Sequence, residues 1–403
     1  ERPCANVDAQ LDRLIQALDL LAHARQVEGL AETGRVICEA ALALASGYDR
    51  TLLYRLDGDG HGEIVAEAGL RAGVSLVGRY YPASALPPSE LRRFAAQKMR
   101  AVTDTCATPI PLEGECMTVT LPEQHLDFPY PARQEWLIRN AVRATVSCML
   151  MIDERHWGFL SLHALCAPRV ADPTLRKVYA GFCRQVSRVL VRALRRDMYR
   201  RAQDADRRRR ELLRVFRDQG LLALFGVDHG PALLQLVDAD GCTLLAGERR
   251  LDVGRTLPDC SPALALVATE RHGAQLDILD LQQGTLMPLD GISHAMRARI
   301  DGPEPWILCW WRAGRERIRH WVDPLQPTGL VPSPGFDGLE QDIAAQFVDQ
   351  LHFERVERTR IALENLVGVV ADNPAAIVIT DADIESPEGP RMLLVSDGFL
   401  QLS

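Results

Sequence analysis

No apolar run in these 403 residues reaches the roughly 18 that a helix needs to cross a bilayer. The first residues also lack the basic, apolar and small-residue succession of a secretory leader. The chain therefore reads as cytoplasmic, with no membrane partner. Ten cysteines are scattered without a Cys-x-x-Cys pair or a companion histidine cluster, which argues against a disulfide framework and against structural zinc. Surplus positive charge is missing too. A formal net charge of -8 does not suit a generally basic nucleic-acid binder. P-loop, nucleophile-elbow, zinc-protease and kinase motifs are absent, so no enzymatic activity is expected of this stretch and no metal is implied. What is present is ordinary globular material, 47% hydrophobic and 25% charged, long enough for two or three cores. The strand-like residues ahead of Ser403 read as an element cut short, hence as a fragment of a longer protein.

Leu11, Leu14, Leu18 and Leu21 recur at helical spacing. TLLYRL (51–56) and GEIVAEA (62–68) flank Asp-Gly pairs and predict a hairpin. LRRFAAQKMR (91–100) and WLIRNAVR (136–143) read as short helices, and 145–153 and 157–165 as two strands joined by a polar turn. From Thr174 to about Phe216 one helical stripe (Leu175, Val178, Phe182, Val186, Val189) predicts a single long helix. Its Arg207–Arg210 run is interspersed with Asp204, Asp206 and Glu211, the pattern of a solvated face rather than a nucleic-acid site. A second domain is expected over 220–336, with a hairpin around Asp240-Gly241 and two strands in 306–322. A proline-rich arm and another long helix follow, the helix striped by Ile343, Phe347, Leu351, Val356, Ile361, Leu363 and Leu366. The overall expectation is an α+β chain whose two domains, each built on a central antiparallel sheet, are joined by long helices.

RYYPASALPP (79–88) is a stiff display, since Pro82, Pro87 and Pro88 each set φ and withhold a donor. SGYDRTLLYRLDGDGHGEIVAEA, YYPASALPP, RAVTDTCATPIPL and WGFLSLH, in this order, resemble the GAF domain of the phytochrome family. ILCWWRAGRERIRHW followed by PSPGF resembles the strands and tongue arm of its PHY domain. The resemblance covers most of residues 40–345 and implies an N-terminal helix (1–30), a GAF domain (31–172), a connecting helix (173–219), a PHY domain (220–336, tongue about 303–336), a signalling helix (337–370) and the start of a PAS domain (371–403). It also implies a homodimer through the long helices and a downstream output domain or response regulator.

In that family a linear tetrapyrrole such as biliverdin lies in the GAF pocket. An aspartate in a Pro-Ala-Ser-Asp-Ile-Pro stretch faces it and pairs with an arginine of a Pro-Arg-x-Ser-Phe tongue motif. This sequence has Ala85 at the first position and Ser333 at the second, within Pro332, Ser333, Pro334, Gly335, Phe336. Both halves of the pair are gone, and losing both is far less costly than losing one. Arg100 matches one propionate-clamping arginine, whereas the second position is Asp127. Arg133 replaces the histidine over the pyrrole rings, and Ala132 stands at the attachment cysteine of plant and cyanobacterial members. Tyr54, Tyr81, Ser84, Thr145, Ser147 and His163 keep the family's residues.

Each retained residue also has a plain reading: Tyr54 and Tyr81 as core aromatics, Thr145 and Ser147 as strand residues, His163 as a satisfied buried histidine, Arg100 as a charge at a helix end. Cys4, Cys106 and Cys166 could be attachment or redox thiols. The sequence therefore supports first a phytochrome-like sensory module that has lost its bilin, carries no cofactor and works independently of light. The second reading is a red/far-red photoreceptor holding a biliverdin-type bilin through Arg100, His163 and the Ala85 carbonyl. The third is a GAF domain using Arg100 and Arg133 for another small ligand such as a cyclic nucleotide.

Overall fold

The structure is a computed structural model. It describes the chain except residues 1, 59, 70–74, 109–130, 257–275, 281–291, 303, 314–316, 323–328, 332–334, 373–374, 376, 381–391 and 403. Two compact units emerge, one from 1–200 with 316–331 and the other from 201–315 with 332–403.

The first unit is built on helices α1 (Arg2–Ala24) and α2 (Leu30–Leu44), the strands β1 (Arg50–Leu56), β2 (Gly62–Ala68) and β3 (Tyr80–Tyr81), then α3 (Pro88–Gln97), β4 (Met99–Val102), α4 (Pro131–Arg139), β5 (Ala144–Ile152) and β6 (Arg155–Ala164). The sheet runs β3-β2-β1-β6-β5-β4 and every pairing is antiparallel. Strand alternation divides its side chains between two cores. Leu53, Val146, Cys148, Leu160 and Leu162 pack under α1, α2 and the start of the long helix α5 (Pro173–Gln219). Leu52, Tyr54, Ile64 and Phe159 turn the other way, toward the proline shelf, α3 and α4. Gly158 of the WGF stretch is needed for the β1–β6 pairing, because a Cβ there would lie 1.9 Å from the Tyr54 carbonyl oxygen.

Three sequence expectations change here. The helix expected over 91–100 ends at Gln97: Lys98 turns left-handed (φ 61°), its amide closes onto the Phe94 carbonyl at 2.7 Å, and Met99–Val102 pairs with β5. Arg100 therefore lies on a strand, and the helix-dipole reading of it falls. α2 was not anticipated, although Val36, Ile37, Ala40, Ala41 and Leu44 carry the spacing and are its buried face. The second helix forms earlier than expected, at 131–139, and 142–143 leads into β5.

In the second unit α6 (Leu221–Leu224) and α7 (Gly230–Gln235) precede the strands β7 (Gly241–Ala246), β8 (Arg249–Gly254), β9 (Leu276–Asp280), β10 (Ile292–Ile300) and β11 (Trp306–Ala313), ordered β8-β7-β11-β10-β9. The hairpin expected around Asp240-Gly241 turns instead at Gly247-Glu248, because Pro231 at the first helical positions starts α7 where a strand was expected. α5, a helix of 47 residues with its one proline at the first position, ends where Gly220 adopts φ +87°. Leu212, Val215 and Phe216 from its last turns join a core with Trp310 and with Phe347, Val348 and Leu351 of α8 (Gly338–Ala371). The second strand expected in 306–322 is β12 (Arg317–Arg319), which pairs with β13 (Gly329–Val331) and not with β11. A small ladder, β14 (Val378–Thr380) with β15 (Met392–Val395), and α9 (Asp397–Leu402) occupy the expected PAS segment.

Candidate functional site

The second core of the first unit gathers most of the residues the sequence singled out. Tyr54 comes from β1, Tyr81 from β3, Arg100 from β4, Thr145 and Ser147 from β5, His163 from β6 and Arg133 from α4. All but Arg133 are buried, and Arg133 is half-buried. Ser84 differs: it sits in the short 3-10 turn Ala83–Ala85 with its side chain exposed. Ala85 closes that turn. Asp127 and Ser333 lie outside the described residues.

The Tyr81–Trp136 and Trp136–His163 rings meet edge-on, as their quadrupoles favour, and Tyr54 and Phe159 are tilted. Tyr54 packs 5.1 Å from Phe159, Tyr81 4.7 Å from Trp136, and Trp136 6.4 Å from His163, centroid to centroid. Burial raises the Tyr54 phenol and pushes Tyr81 up to about 12, so both hydroxyls stay neutral. The cavity left among Tyr54, Tyr81, Arg133, Trp136, Phe159 and His163 is about 20 Å³. That is room for one water-sized group, against the 300–1,000 Å³ or so of a typical cofactor site.

Both arginines are engaged from within the chain. Arg100 donates from Nη2 to the Glu90 carboxylate at 2.9 Å, with both side chains largely buried, and its guanidinium lies 5.7 Å from the Phe94 ring centroid. Arg133 donates to Ser147 Oγ at 3.2 Å and lies 5.9 Å from the same ring. Ser147 is in turn 2.7 Å from Ser161 and 3.5 Å from Thr145, a hydroxyl row across neighbouring strands. Arg50 Nη2 stands 3.4 Å from His163 Nδ1. Since a guanidinium only donates, Nδ1 accepts and the imidazole proton belongs on Nε2. Burial first, then the charges of Arg50 and Arg133, hold His163 well below the ordinary histidine value, so it is neutral.

Segment 316–331 belongs to this unit and closes one side of the site. The Tyr80 amide donates to the His320 carbonyl at 2.9 Å and the Val322 amide to the Tyr80 carbonyl at 3.0 Å. Val322 is buried in the same core, and Trp321 packs 5.0 Å from the His61 ring, whose Nδ1 accepts the Ala83 amide at 3.0 Å. Gly335 and Phe336, the other expected tongue residues, are held in the second unit. Arg312 donates to the Gly335 carbonyl at 2.8 Å and stacks 4.2 Å over the Phe336 ring. The sequence reading missed Glu90, Trp136 and Ser161. Trp136 was within reach of a helical argument, three residues after Arg133 on α4. Glu90 needed the turn at Lys98 to be known.

No protein-family profile matches the chain. It is 26% identical over 273 residues to a bacteriophytochrome of Xanthomonas campestris pv. campestris, covering 65% of this chain and 42% of that protein. With a bacteriophytochrome of Pseudomonas aeruginosa the identity is 28% over 217 residues, 52% of this chain and 29% of that one. The proteins that the chain matches are bacteriophytochromes and phytochromes, which supports a place for it in the phytochrome family. It spans less than half the length of these curated relatives. Among solved structures it resembles a bacteriophytochrome from R. palustris (TM-score 0.68, 18% identity, 86% of this chain and 76% of that one). It also resembles the phytochrome photosensory core module of Stigmatella aurantiaca (TM-score 0.66, 19% identity, 89% and 76%). The α+β architecture with antiparallel sheets and a long helix is therefore that of the family's photosensory core.

Proposed function

We propose that this chain is the sensory module of a phytochrome-like signalling protein whose tetrapyrrole pocket has closed on its own side chains, so that its output does not depend on light. A linear tetrapyrrole would supply light absorption, but the described residues do not fit one. The observation that carries the reading is the 2.9 Å Arg100–Glu90 pair beside a cavity of about 20 Å³. The arginine matching a propionate clamp already holds a carboxylate of the chain, and Arg133, with Trp136 one helical turn on, fills the space over the ring positions. Displacing Glu90 from a largely buried arginine would cost affinity on the order of a few kcal/mol.

The rival reading, a photoreceptor whose pocket opens around a bilin, draws on Tyr54, Tyr81 and His163 facing one cavity. Purification after co-expression with a biliverdin source, with spectra before and after red light and after denaturation, separates the two. A colourless protein is expected. A red band that shifts on illumination would overturn the proposal. In this reading the module forms a homodimer and acts on an output domain or response regulator; it has no nucleic-acid partner and resides in the cytoplasm. Among the described residues no helix is long and apolar enough to cross a membrane, and Arg207, Arg209 and Arg210 pair with Asp204 and Asp206.

A further inference from the structure

A groove of about 770 Å³ opens in the first unit, between the first turns of α5 and the place where β4 gives way to the open edge of β5. Its floor is aliphatic and sulfur-bearing, from Met99, Cys148, Met149 and Met151, and among the described residues no aromatic ring lines it. Its rim carries five cations, Lys98, Arg176, Lys177, Arg184 and Arg188, and, among the described residues, no acid. None of the five makes an ion pair among the described residues, in a chain whose net charge is -8 and whose other arginines commonly find carboxylates. Arg176, Arg184 and Arg188 fall on one face of α5 and mark out about 18 Å of groove at 1.5 Å per residue.

A second observation points into the groove. Gln97, 8% exposed, lines it with an Oε1 that has no hydrogen-bond partner among the described residues, and Arg176 Nε is buried and likewise unpartnered. A buried polar atom without a partner is costly, so a ligand that meets it gains affinity. Asp172, the acid nearest in sequence, accepts the Leu175 amide at 2.8 Å at the helix start.

We propose that this groove binds a small amphiphilic anion: an acyl-type chain lies over the methionine floor and an anionic head, carboxylate or phosphate, is held by the α5 arginines. The volume is that of a small-molecule site. Flexible thioethers accept chains of varied shape, and unneutralised arginines recognise anionic oxygens. The groove shares no lining residue with the cavity at Tyr54, Arg133 and His163, so its ligand occupies a separate site whether or not a bilin binds.

The test is isothermal titration of the intact chain with 1-oleoylglycerol 3-phosphate and with oleate, each below its micelle-forming concentration, and with inorganic phosphate alone. Saturable one-to-one binding of an amphiphile is expected, and preference between the two assigns the head group. Arg184→Glu combined with Arg188→Glu, both at exposed positions, should weaken binding at least about tenfold, as should Gln97→Leu to a smaller degree. Arg92→Glu, which changes the net charge away from the groove, should leave it unaltered. Absence of saturable binding, equal affinity in the charge-reversed variant, or equal binding of inorganic phosphate would overturn the proposal. So would a ligand-free dimer that the double variant dissociates in sedimentation, because a second copy would then cover the groove.

Discussion

Arg100 is 3% exposed and its carboxylate partner Glu90 lies at the start of α3, ten residues earlier. Glu90→Gln keeps the shape and removes the charge that faces the guanidinium. We expect it to lower stability by about 1–3 kcal/mol, read as a fall in the urea midpoint without a change in slope. His163 provides a pH signature. Its folded-state affinity for a proton lies below that of the unfolded chain, so the unfolded state takes up the proton first. Its contribution to stability is complete above the unfolded value near 6.5 and declines as pH falls below it, by up to about 1.4 kcal/mol per pH unit. His163→Gln should flatten the stability profile between pH 7.5 and 5.5; an unchanged slope would show that burial and the charges of Arg50 and Arg133 do not hold this ring neutral.

At the scale of elements, short junctions decide more than long periodic runs. Lys98 converts the end of α3 into β4 within one residue and thereby sets Arg100 opposite Ser147 in the β4–β5 ladder. α8 begins on a reciprocal cap: Asp337 accepts the Glu340 amide and Glu340 accepts the Asp337 amide, both at 2.8 Å. Glu340 also holds Arg312 at 2.8 Å, and Arg201 reaches both acids, at 2.9 Å to Asp337 and 3.2 Å to Glu340. Asp337→Ala should cost about 1 kcal/mol and speed amide hydrogen exchange over the first turn of α8. Protection unchanged there would place the anchorage in Glu340 and its partners Arg312 and Arg201.

For the whole molecule the long helices matter most, and their apolar stripes serve two purposes. Val186 and Val189 of α5 are buried within the first unit and Leu175 packs against the same core, so that part of the stripe is already covered. On α8, Phe347 and Leu351 are buried, whereas Val356, Ile361, Leu363 and Leu366 are exposed. We expect the homodimer to form on this distal face. Leu363→Asp with Leu366→Asp should shift sedimentation from dimer to monomer without loss of helical signal.

Local pattern alone determined the β1–β2 hairpin, the two long helices and the family resemblance, because periodicity, Asp-Gly turns and the order of motifs are written in adjacent residues. Through that resemblance it also assigned Tyr54, Tyr81, Ser84, Ala85, Arg100, Arg133, Thr145, Ser147 and His163 to one pocket, whereas the structure leaves the Ser84 side chain exposed. Only the tertiary structure decided what those residues do there. Glu90 against Arg100, Ser147 beneath Arg133, and Arg50 beside His163 are contacts between residues 10, 14 and 113 positions apart. Such pairings depend on strand register and on where a helix stops, and neither leaves a periodic trace in the chain.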